Sequence, residues 1–159
     1  MISRPPLTRR TLLAGLGSLV AVVPLRAAAG SLPRVAVTKD PNCGCCEAWV
    51  AHLRTAGFPV AVTTGPVAPL KATLGVPRAL ASCHTAQVGG YVIEGHVPAE
   101  AITRLLTEKP AATGLAVPGM PIGSPGMEVE GMDPDTYEVV LFGPAGTRTF
   151  ARYRGATLL

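Results

Sequence analysis

Three of the four cysteines in this 159-residue chain, Cys43, Cys45 and Cys46, lie within four positions. The preceding residues 34–39 are a short β-branched run that predicts a strand, and an Asp-Pro-Asn turn follows it. After the cysteines, apolar residues recur at helical spacing up to Gly57, where a helix is expected to end. The sequence therefore predicts that the cysteines lie in a strand-to-helix turn, at the N-terminus of the helix.

This position favours thiolate chemistry. The free backbone N–H groups and the positive end of the dipole at a helix N-terminus stabilise thiolate, the form that attacks disulfides and binds soft metals. Cys43 and Cys46 have the Cys-x-x-Cys spacing of thioredoxin-like redox sites. Cys45 adds a third thiol that can scramble or trap such a disulfide, whereas three converging thiolates suit a soft d¹⁰ ion such as Cu(I).

Two structural disulfides are the simpler alternative, because four cysteines in an exported protein most often form two bridges. The adjacent Cys45 and Cys46 rarely bond to each other, so two bridges need the fourth cysteine, Cys83, paired with one of the three and a tight local ring for another pair. Spacing alone leaves metal binding, redox exchange and structural disulfides open.

The first 29 residues predict an export signal. Arg9 and Arg10 precede an apolar stretch, 11–23, and the three alanines at 27–29 fit a small-residue cleavage site, so the segment resembles a twin-arginine signal. The stretch is short for a membrane span, and an uncleaved anchor is the alternative. We expect one domain over residues 30–159, located in the periplasm without a stable membrane anchor.

The positive charge of the chain belongs to this signal. Four of the 14 Lys and Arg residues lie in it, whereas all 10 Asp and Glu residues lie beyond it. Residues 30–159 therefore carry no net formal charge. Nucleic-acid binding needs a surplus of basic residues on one face, so we expect no nucleic-acid partner.

Patterns beyond the first helix predict the order β-α-β-α-β-β-α. A Gly-Gly turn at 89–90 favours a hairpin. This order, with cysteines at the first strand-to-helix junction, resembles a thioredoxin-like fold, which implies a cis proline before the third strand, for which Pro77 is the candidate. Cys83 would then lie on the third strand, able to face the cysteine turn. The predicted strands are 58–63, 78–88 and 91–97, and the predicted helices are 67–74 and 98–110.

The C-terminal part differs in composition. Residues 114–134 are too rich in Gly and Pro for a regular element and hold three of the four methionines, including Met120 and Met127. Thioethers are soft ligands that prefer Cu(I), although methionines also fill gaps where a loop packs on a domain. A final hairpin is predicted from strands 137–142 and 147–153.

The three histidines are candidates of unequal rank. His96, at the end of the fourth predicted strand, comes first. His84 follows Cys83 directly, so on a regular strand the two side chains point to opposite faces, and both bind one ion only if the strand is irregular there. His52 lies seven residues after Cys45, about 10 Å along the helix axis, which is too far for the same ion.

Together these motifs resemble the CopG-type periplasmic copper-resistance family, small thioredoxin-like metal-binding proteins with a Cys-Gly-Cys-Cys turn. The matching pieces are 39–49, 82–85, 90–98 and 118–128. The resemblance implies copper bound as Cu(I) mainly by cysteine sulfur, with a multinuclear cluster as one form, and a role in copper tolerance that can include copper redox cycling. The partners it implies are copper ions and other periplasmic copper-handling proteins.

Carried over residue by residue, the resemblance implies a set of copper ligands. Two alternatives stay open: a thiol–disulfide oxidoreductase using Cys43 and Cys46, and a structural zinc or disulfide domain. Whether the protein is an enzyme also stays open, with metal binding the favoured interpretation. The implied ligands are Cys43, Cys45, Cys46 and Cys83, followed by Met120, Met127, His96 and His84.

Overall fold

The strand and the helix around the cysteine turn form where the sequence predicts them. The computed structural model of the protein describes residues 31–159, so the predicted export signal lies outside the described residues. Strand β1 spans Val35–Lys39 and helix α1 spans Gly44–Thr55. Helix α1 buries one apolar face along its length, at Cys46, Trp49, Val50 and Leu53.

The predicted α/β class and element order are confirmed. Residues Ser31–Leu159 form one compact unit, in which the predicted C-terminal hairpin is also present. None of the helices within it is long and apolar enough to span a bilayer. The remaining elements are β2 (Val60–Thr64), α2 (Val67–Thr73), a 3₁₀ turn (Arg78–Leu80), β3 (His84–Val88), β4 (Tyr91–Glu94), α3 (Ala99–Glu108), β5 (Gly114–Ala116), β6 (Thr136–Gly143), β7 (Gly146–Arg154) and β8 (Thr157–Leu158).

The eight strands form one sheet in the order β2-β1-β3-β4-β5-β6-β7-β8. Strand β1 pairs with β2 in parallel and with β3 antiparallel, and the pairing of Lys39 with His84 joins the end of β1 to the start of β3. The cysteine turn follows β1, and Cys83 precedes β3. The antiparallel pairing therefore brings these two cysteine-bearing segments to the same end of the sheet.

Apolar clusters cover both faces of the sheet. Ile93 belongs to the larger cluster, which includes Trp49 from α1 and Ile102 from α3. Its neighbour on β4, Val92, belongs to a smaller cluster with Phe142. Because successive strand side chains point to opposite faces, the two clusters lie on opposite sides of the sheet. Helices α1 and α3 therefore cover one face, and the cysteine turn is anchored by the buried side of α1.

The segment before the third strand differs from the prediction. Residues 78–80 form the 3₁₀ turn, and β3 begins only at His84, so Cys83 precedes the strand instead of lying on it. The backbone N–H of Ser82 donates a hydrogen bond to the Glu94 side chain. This bond takes the place of the interstrand backbone hydrogen bond that a strand residue would form here. The prediction that Pro77 is cis is wrong, because every peptide bond in residues 31–159 is trans.

A second difference lies in the Gly- and Pro-rich segment. Its first three residues form β5, which pairs with β4 in parallel and with β6 antiparallel. A three-residue strand that begins with glycine carries too little local pattern to be predicted, because its conformation is fixed by the two strands beside it. The rest of the segment is irregular, as predicted.

Candidate metal centre

Four sulfur atoms converge where α1 begins. Cys43 is the residue immediately before the helix, and Cys45 and Cys46 lie in its first turn. The pairing of β1 with β3 brings Cys83 beside this turn. Each of the four sulfurs lies within 4.8 Å of the others. The sequence predicted all four residues as candidate donors, and the fold brings them together.

Two of these cysteines are bonded to each other. Cys43 and Cys46 form a disulfide, whereas Cys45 and Cys83 are free thiols. The Cys45 sulfur lies 3.5 Å from that of Cys43 and 4.0 Å from that of Cys83. Cys46 is fully buried, and the other three are partly exposed. The solvent-accessible side of the cluster is therefore formed by Cys43, Cys45 and Cys83.

Both predicted histidines reach Cys83. The Cys83 sulfur lies 3.0 Å from Nε2 of His96 and 3.3 Å from Nδ1 of His84. His84 is the first residue of β3, and Cys83 lies outside the strand, so the irregularity that both contacts require is present. The arrangement is a second group of donor atoms, one sulfur and two nitrogens within 4.8 Å of one another, which shares Cys83 with the first.

Burial sets the protonation of these groups. Desolvation, with smaller effects of His96 and Lys71, lowers the pKa of His84 to about 3. Desolvation also lowers the pKa of His96 from its ordinary value. Burial and the neighbouring Cys45 raise the pKa of the Cys83 thiol to about 11. Without metal, the group is therefore neutral at physiological pH: two uncharged imidazoles, the form that binds metals, around a protonated thiol.

The Gly- and Pro-rich segment orients His96. Nδ1 of His96 donates a hydrogen bond to the carbonyl oxygen of Pro125 over 2.8 Å. This bond places the ring proton on Nδ1 and leaves the Nε2 lone pair facing Cys83. Nε2 of His84, in contrast, is buried without a hydrogen-bond partner in the described part of the chain. The centroid of the His84 ring lies 4.3 Å from that of the Trp49 ring.

The same segment covers the cysteine turn. A Cβ atom at Gly126 would lie 2.6 Å from the backbone nitrogen of Trp49 and 3.0 Å from the carbonyl oxygen of Cys45, so the loop backbone is in direct contact with α1. The Ser82 hydroxyl donates to the carbonyl of Gly119, which ties the loop to the segment that carries Cys83. Residues 119–126 therefore bridge both cysteine-bearing segments, a role that the sequence did not reveal.

The two methionine candidates lie on this loop with different exposure. Met120 is 54% exposed, and Met127 is partly buried. The Met127 backbone forms hydrogen bonds with Gly123 and Ser124, which close the loop on itself. Of the two candidates, Met120 therefore lies in solvent and Met127 at the domain surface.

Lys39 is a residue of the site that sequence analysis missed. Its side chain is 5% exposed, and Nζ lies 3.5 Å from the carbonyl oxygen of Cys43 and 3.1 Å from a carboxylate oxygen of Glu47. A lysine at a buried position of a strand, directly before a cysteine turn, is the sequence signal for this contact. Lys39 therefore ties the end of β1 to the cysteine turn, and its ion pair with Glu47 balances its charge.

His52 lies outside the centre, as predicted. Its Nε2 accepts a hydrogen bond from the backbone N–H of Ala99 over 3.1 Å, at the start of α3. Burial lowers the pKa of His52, although Glu128 and Glu100 partly offset the effect. His52 therefore joins α1 to α3 as a neutral ring and contributes no donor atom to the cluster.

The fold and the site together define a thioredoxin-like protein with a cluster of soft donors at its Cys-x-x-Cys turn. Residues 80–127 match a family model described as "Protein of unknown function, DUF411". A comparison with curated proteins found no match.

Two solved structures are similar to the chain over most of its length. "Copper resistance protein copG- Form 1" is 42% identical, with a TM-score of 0.71, and the match covers 78% of this chain and 99% of that one. "Copper resistance protein copG- Form 2" is also 42% identical, with a TM-score of 0.72 and coverage of 77% and 98%. The chain belongs to the CopG copper resistance protein family, as its motifs predicted.

Proposed function

We propose that the protein is a periplasmic copper-binding protein that holds Cu(I) at the cluster of Cys43, Cys45, Cys46 and Cys83 and acts in copper tolerance. The observation that carries the proposal is the convergence of the four sulfurs within 4.8 Å of one another. Thiolate sulfur is the donor that Cu(I) prefers. Both solved relatives are named copper resistance proteins, and the predicted export signal supports the periplasmic location.

The number of donors favours more than one copper ion. Four sulfurs and the imidazoles of His84 and His96 make six donor groups in two sets that share Cys83. A single four-coordinate ion leaves some of them unused. We therefore propose a multinuclear Cu(I) cluster, with His96 and His84 at its buried side and Met120 and Met127 as thioether ligands from the loop above it.

The local electrostatics suit such a cluster. Several thiolates held together accumulate negative charge. The N-terminus of α1 places the positive end of the helix dipole next to them. The pKa of Cys83 is raised in the metal-free state, so binding of Cu(I) at this residue must release a proton.

The Cys43–Cys46 disulfide gives the centre a redox capability. With the disulfide intact, only Cys45 and Cys83 offer thiols, so a four-thiolate cluster forms only after the bridge gains two electrons. Two Cu(I) ions can supply one electron each, which yields two Cu(II) ions, breaks the S–S bond and, with two protons, leaves two thiols. A dithiol reductant can supply the same electrons and become a disulfide itself.

The second candidate function is thiol–disulfide exchange by Cys43 and Cys46 without copper. The disulfide between them favours it, because this is the oxidised state of such an enzyme, and Cys43 is the more exposed partner at the helix N-terminus. In that case Cys45→Ser leaves the activity in place, and the protein does not compete for Cu(I).

An anaerobic Cu(I) titration distinguishes the two functions. The reduced protein, purified from the periplasm, competes for Cu(I) against a chromophoric Cu(I) chelator. We expect more than one tightly bound copper per chain, with fewer in Cys83→Ser and in Cys45→Ser. Met132→Leu, which removes a 51% exposed thioether outside the proposed ligand set, is the control and should match the wild type. A wild-type protein that cannot compete with the chelator overturns the copper proposal.

A further inference from the structure

A buried ion pair lies beside the centre without supplying any of its donors. Nζ of Lys71 on α2 lies 2.6 Å from Oε1 of Glu94 at the end of β4. The Glu94 side chain has no exposed surface, and that of Lys71 is 11% exposed. The Thr85 hydroxyl accepts from Lys71 over 2.8 Å and donates to the other Glu94 oxygen over 2.7 Å. Lys71, Glu94 and Thr85 thus form a closed hydrogen-bonded network.

The same carboxylate holds the backbone next to Cys83. The N–H of Ser82 donates to Oε1 of Glu94 over 2.6 Å. Because β3 begins only at His84, Ser82 has no partner strand for this N–H, and the carboxylate takes the place of one. The absence of a side chain at Gly95 lets Ser82 pack closely against it, since a Cβ atom there would lie 2.6 Å from the Ser82 side chain.

The position of Cys83 therefore depends on a side chain. Residues within β3 are fixed by ladder hydrogen bonds on both sides, whereas Cys83 lies before the ladder. Its sulfur nevertheless sits 3.0 Å from His96 and 4.0 Å from Cys45, and these distances require a fixed backbone. The Ser82 hydroxyl attaches this segment to the loop at Gly119, and the Ser82 N–H attaches it to the buried ion pair at Glu94.

We propose that Glu94 is a positioning residue whose carboxylate, neutralised by Lys71, holds the Ser82 N–H and so keeps Cys83 facing Cys45 and His96. As far as copper is concerned, the inference rests on the proposed function, because it assigns Glu94 to the placement of one proposed ligand. A carboxylate that receives three donors is a stronger anchor than a neutral acceptor. Because Lys71 balances its charge, the network adds no net charge beside the thiolates.

Single substitutions do not test this role. Removing either Lys71 or Glu94 alone leaves an unpaired buried charge, which destabilises the whole protein. Two double variants separate the effects. Lys71→Met with Glu94→Gln removes both charges but keeps an acceptor for the Ser82 N–H, whereas Lys71→Met with Glu94→Leu removes both charges and the acceptor.

The first readout is independent of copper. In metal-free protein with the Cys43–Cys46 disulfide intact, the alkylation rate of Cys83 by iodoacetamide is measured by peptide mass spectrometry, with Cys45 as internal reference. We expect the Leu double variant to alkylate about tenfold faster at Cys83, because one hydrogen bond to a charged group no longer holds the segment. The Gln double variant keeps a neutral acceptor for the Ser82 N–H, so its Cys83 rate should stay closer to that of the wild type than to that of the Leu double variant.

The second readout is Cu(I) competition with the same proteins. The Leu double variant should fall to the copper content of Cys83→Ser, and the Gln double variant should retain that of the wild type. Glu108→Gln is the control, because it removes an ion pair of equal length, with Arg104, that is exposed and remote from the centre. If the wild type binds no copper, the proposed function fails, while the alkylation rates still decide the role of Glu94.

Equal Cys83 alkylation rates in the two double variants overturn the inference. If neither double variant folds, hydrogen exchange in the wild type decides instead. We expect the Ser82 amide to be protected like the amides of the β3 ladder, although it lies outside any strand. Exchange at the rate of an unbonded amide contradicts the proposed anchor.

Discussion

The Nε2 atom of His96 lies 3.0 Å from the sulfur of Cys83, although neither residue lies on a strand. Both flank the β3–β4 hairpin, Cys83 before it and His96 after it, and the pairing of Thr85 with Glu94 sets them opposite each other. The bond from His96 Nδ1 to the Pro125 carbonyl fixes the ring from the other side. The hairpin therefore sets the distance between Cys83 and His96, and the loop sets the orientation of the His96 ring.

Replacing His96 should weaken copper binding. His96→Gln keeps a polar side chain of similar size but removes the imidazole that faces Cys83, so we expect the Cu(I) affinity to fall at least about tenfold. The measurement is competition with a chromophoric chelator. His52→Gln is the matched control, because His52 binds the N-terminus of α3 and lies outside the cluster. Equal affinities for the two variants would remove His96 from the ligand set.

The disulfide should control copper capacity. In the oxidised protein only Cys45 and Cys83 are free thiols, so we expect roughly half as many tightly bound Cu(I) ions as after reduction, since thiolate is the main donor. Cys43→Ser cannot form the Cys43–Cys46 bridge, and its copper content should not depend on reductant.

An electron paramagnetic resonance signal of Cu(II) in the oxidised protein would show that copper itself reduces the disulfide. Equal copper content of the oxidised and reduced wild type, without that signal, contradicts the prediction.

Local pattern was sufficient for the elements that carry most of the centre. The β-branched run, the turn and the helical spacing after Cys46 predicted α1 and the cysteine turn, because each depends on residues close in sequence. The predicted rank of His96 agrees with its short distance to Cys83. The predicted cis proline was wrong: Pro77 lies directly before the 3₁₀ turn, and its peptide bond is trans.

Long-range side-chain contacts account for what the sequence did not reveal. Cys83 lies before β3, where the Ser82 N–H is bonded to Glu94, twelve residues after Ser82, and no local pattern encodes that bond. Lys39 is a polar residue at the end of a strand, and the contact of its ammonium group with the Cys43 carbonyl depends on how the turn folds back over β1. The docking of the loop likewise depends on contacts between residues far apart in sequence.

The loop methionines provide a direct test of thioether ligation. We expect Met120→Leu and Met127→Leu each to lower Cu(I) affinity severalfold while leaving the copper stoichiometry unchanged, because thiolates remain the principal donors. Met132→Leu is the control, since Met132 and Met120 are 51% and 54% exposed. Chelator competition gives the affinities. If all three variants match the wild type, the methionines only fill space in the loop.

The contact between the loop and α1 should be costly to disturb. Gly126 and Gly131 both have positive φ, +84° and +78°, so alanine is strained at either position. A Cβ atom at Gly126 also meets the backbone of Trp49 at 2.6 Å, whereas at Gly131 nothing lies within 4 Å. We expect Gly131→Ala to lower the free energy of unfolding by about 1 kcal/mol and Gly126→Ala by about 2–4 kcal/mol, as measured in urea. Equal losses of unfolding free energy in the two variants would mean that the loop is not packed against α1 in solution.

Acid should destabilise the metal-free protein in part through His52. Burial lowers the pKa of His52, with Glu128 and Glu100 opposing the shift, and the neutral ring accepts the Ala99 N–H. In the unfolded chain the ring takes a proton near pH 6.5, but in the folded protein only at lower pH. The stability that His52 contributes is therefore complete above about pH 6.5 and is lost as the pH falls towards the folded pKa. Urea unfolding at pH 7.5 and pH 5 should show a smaller acid loss for His52→Gln than for the wild type, and identical losses would contradict this role.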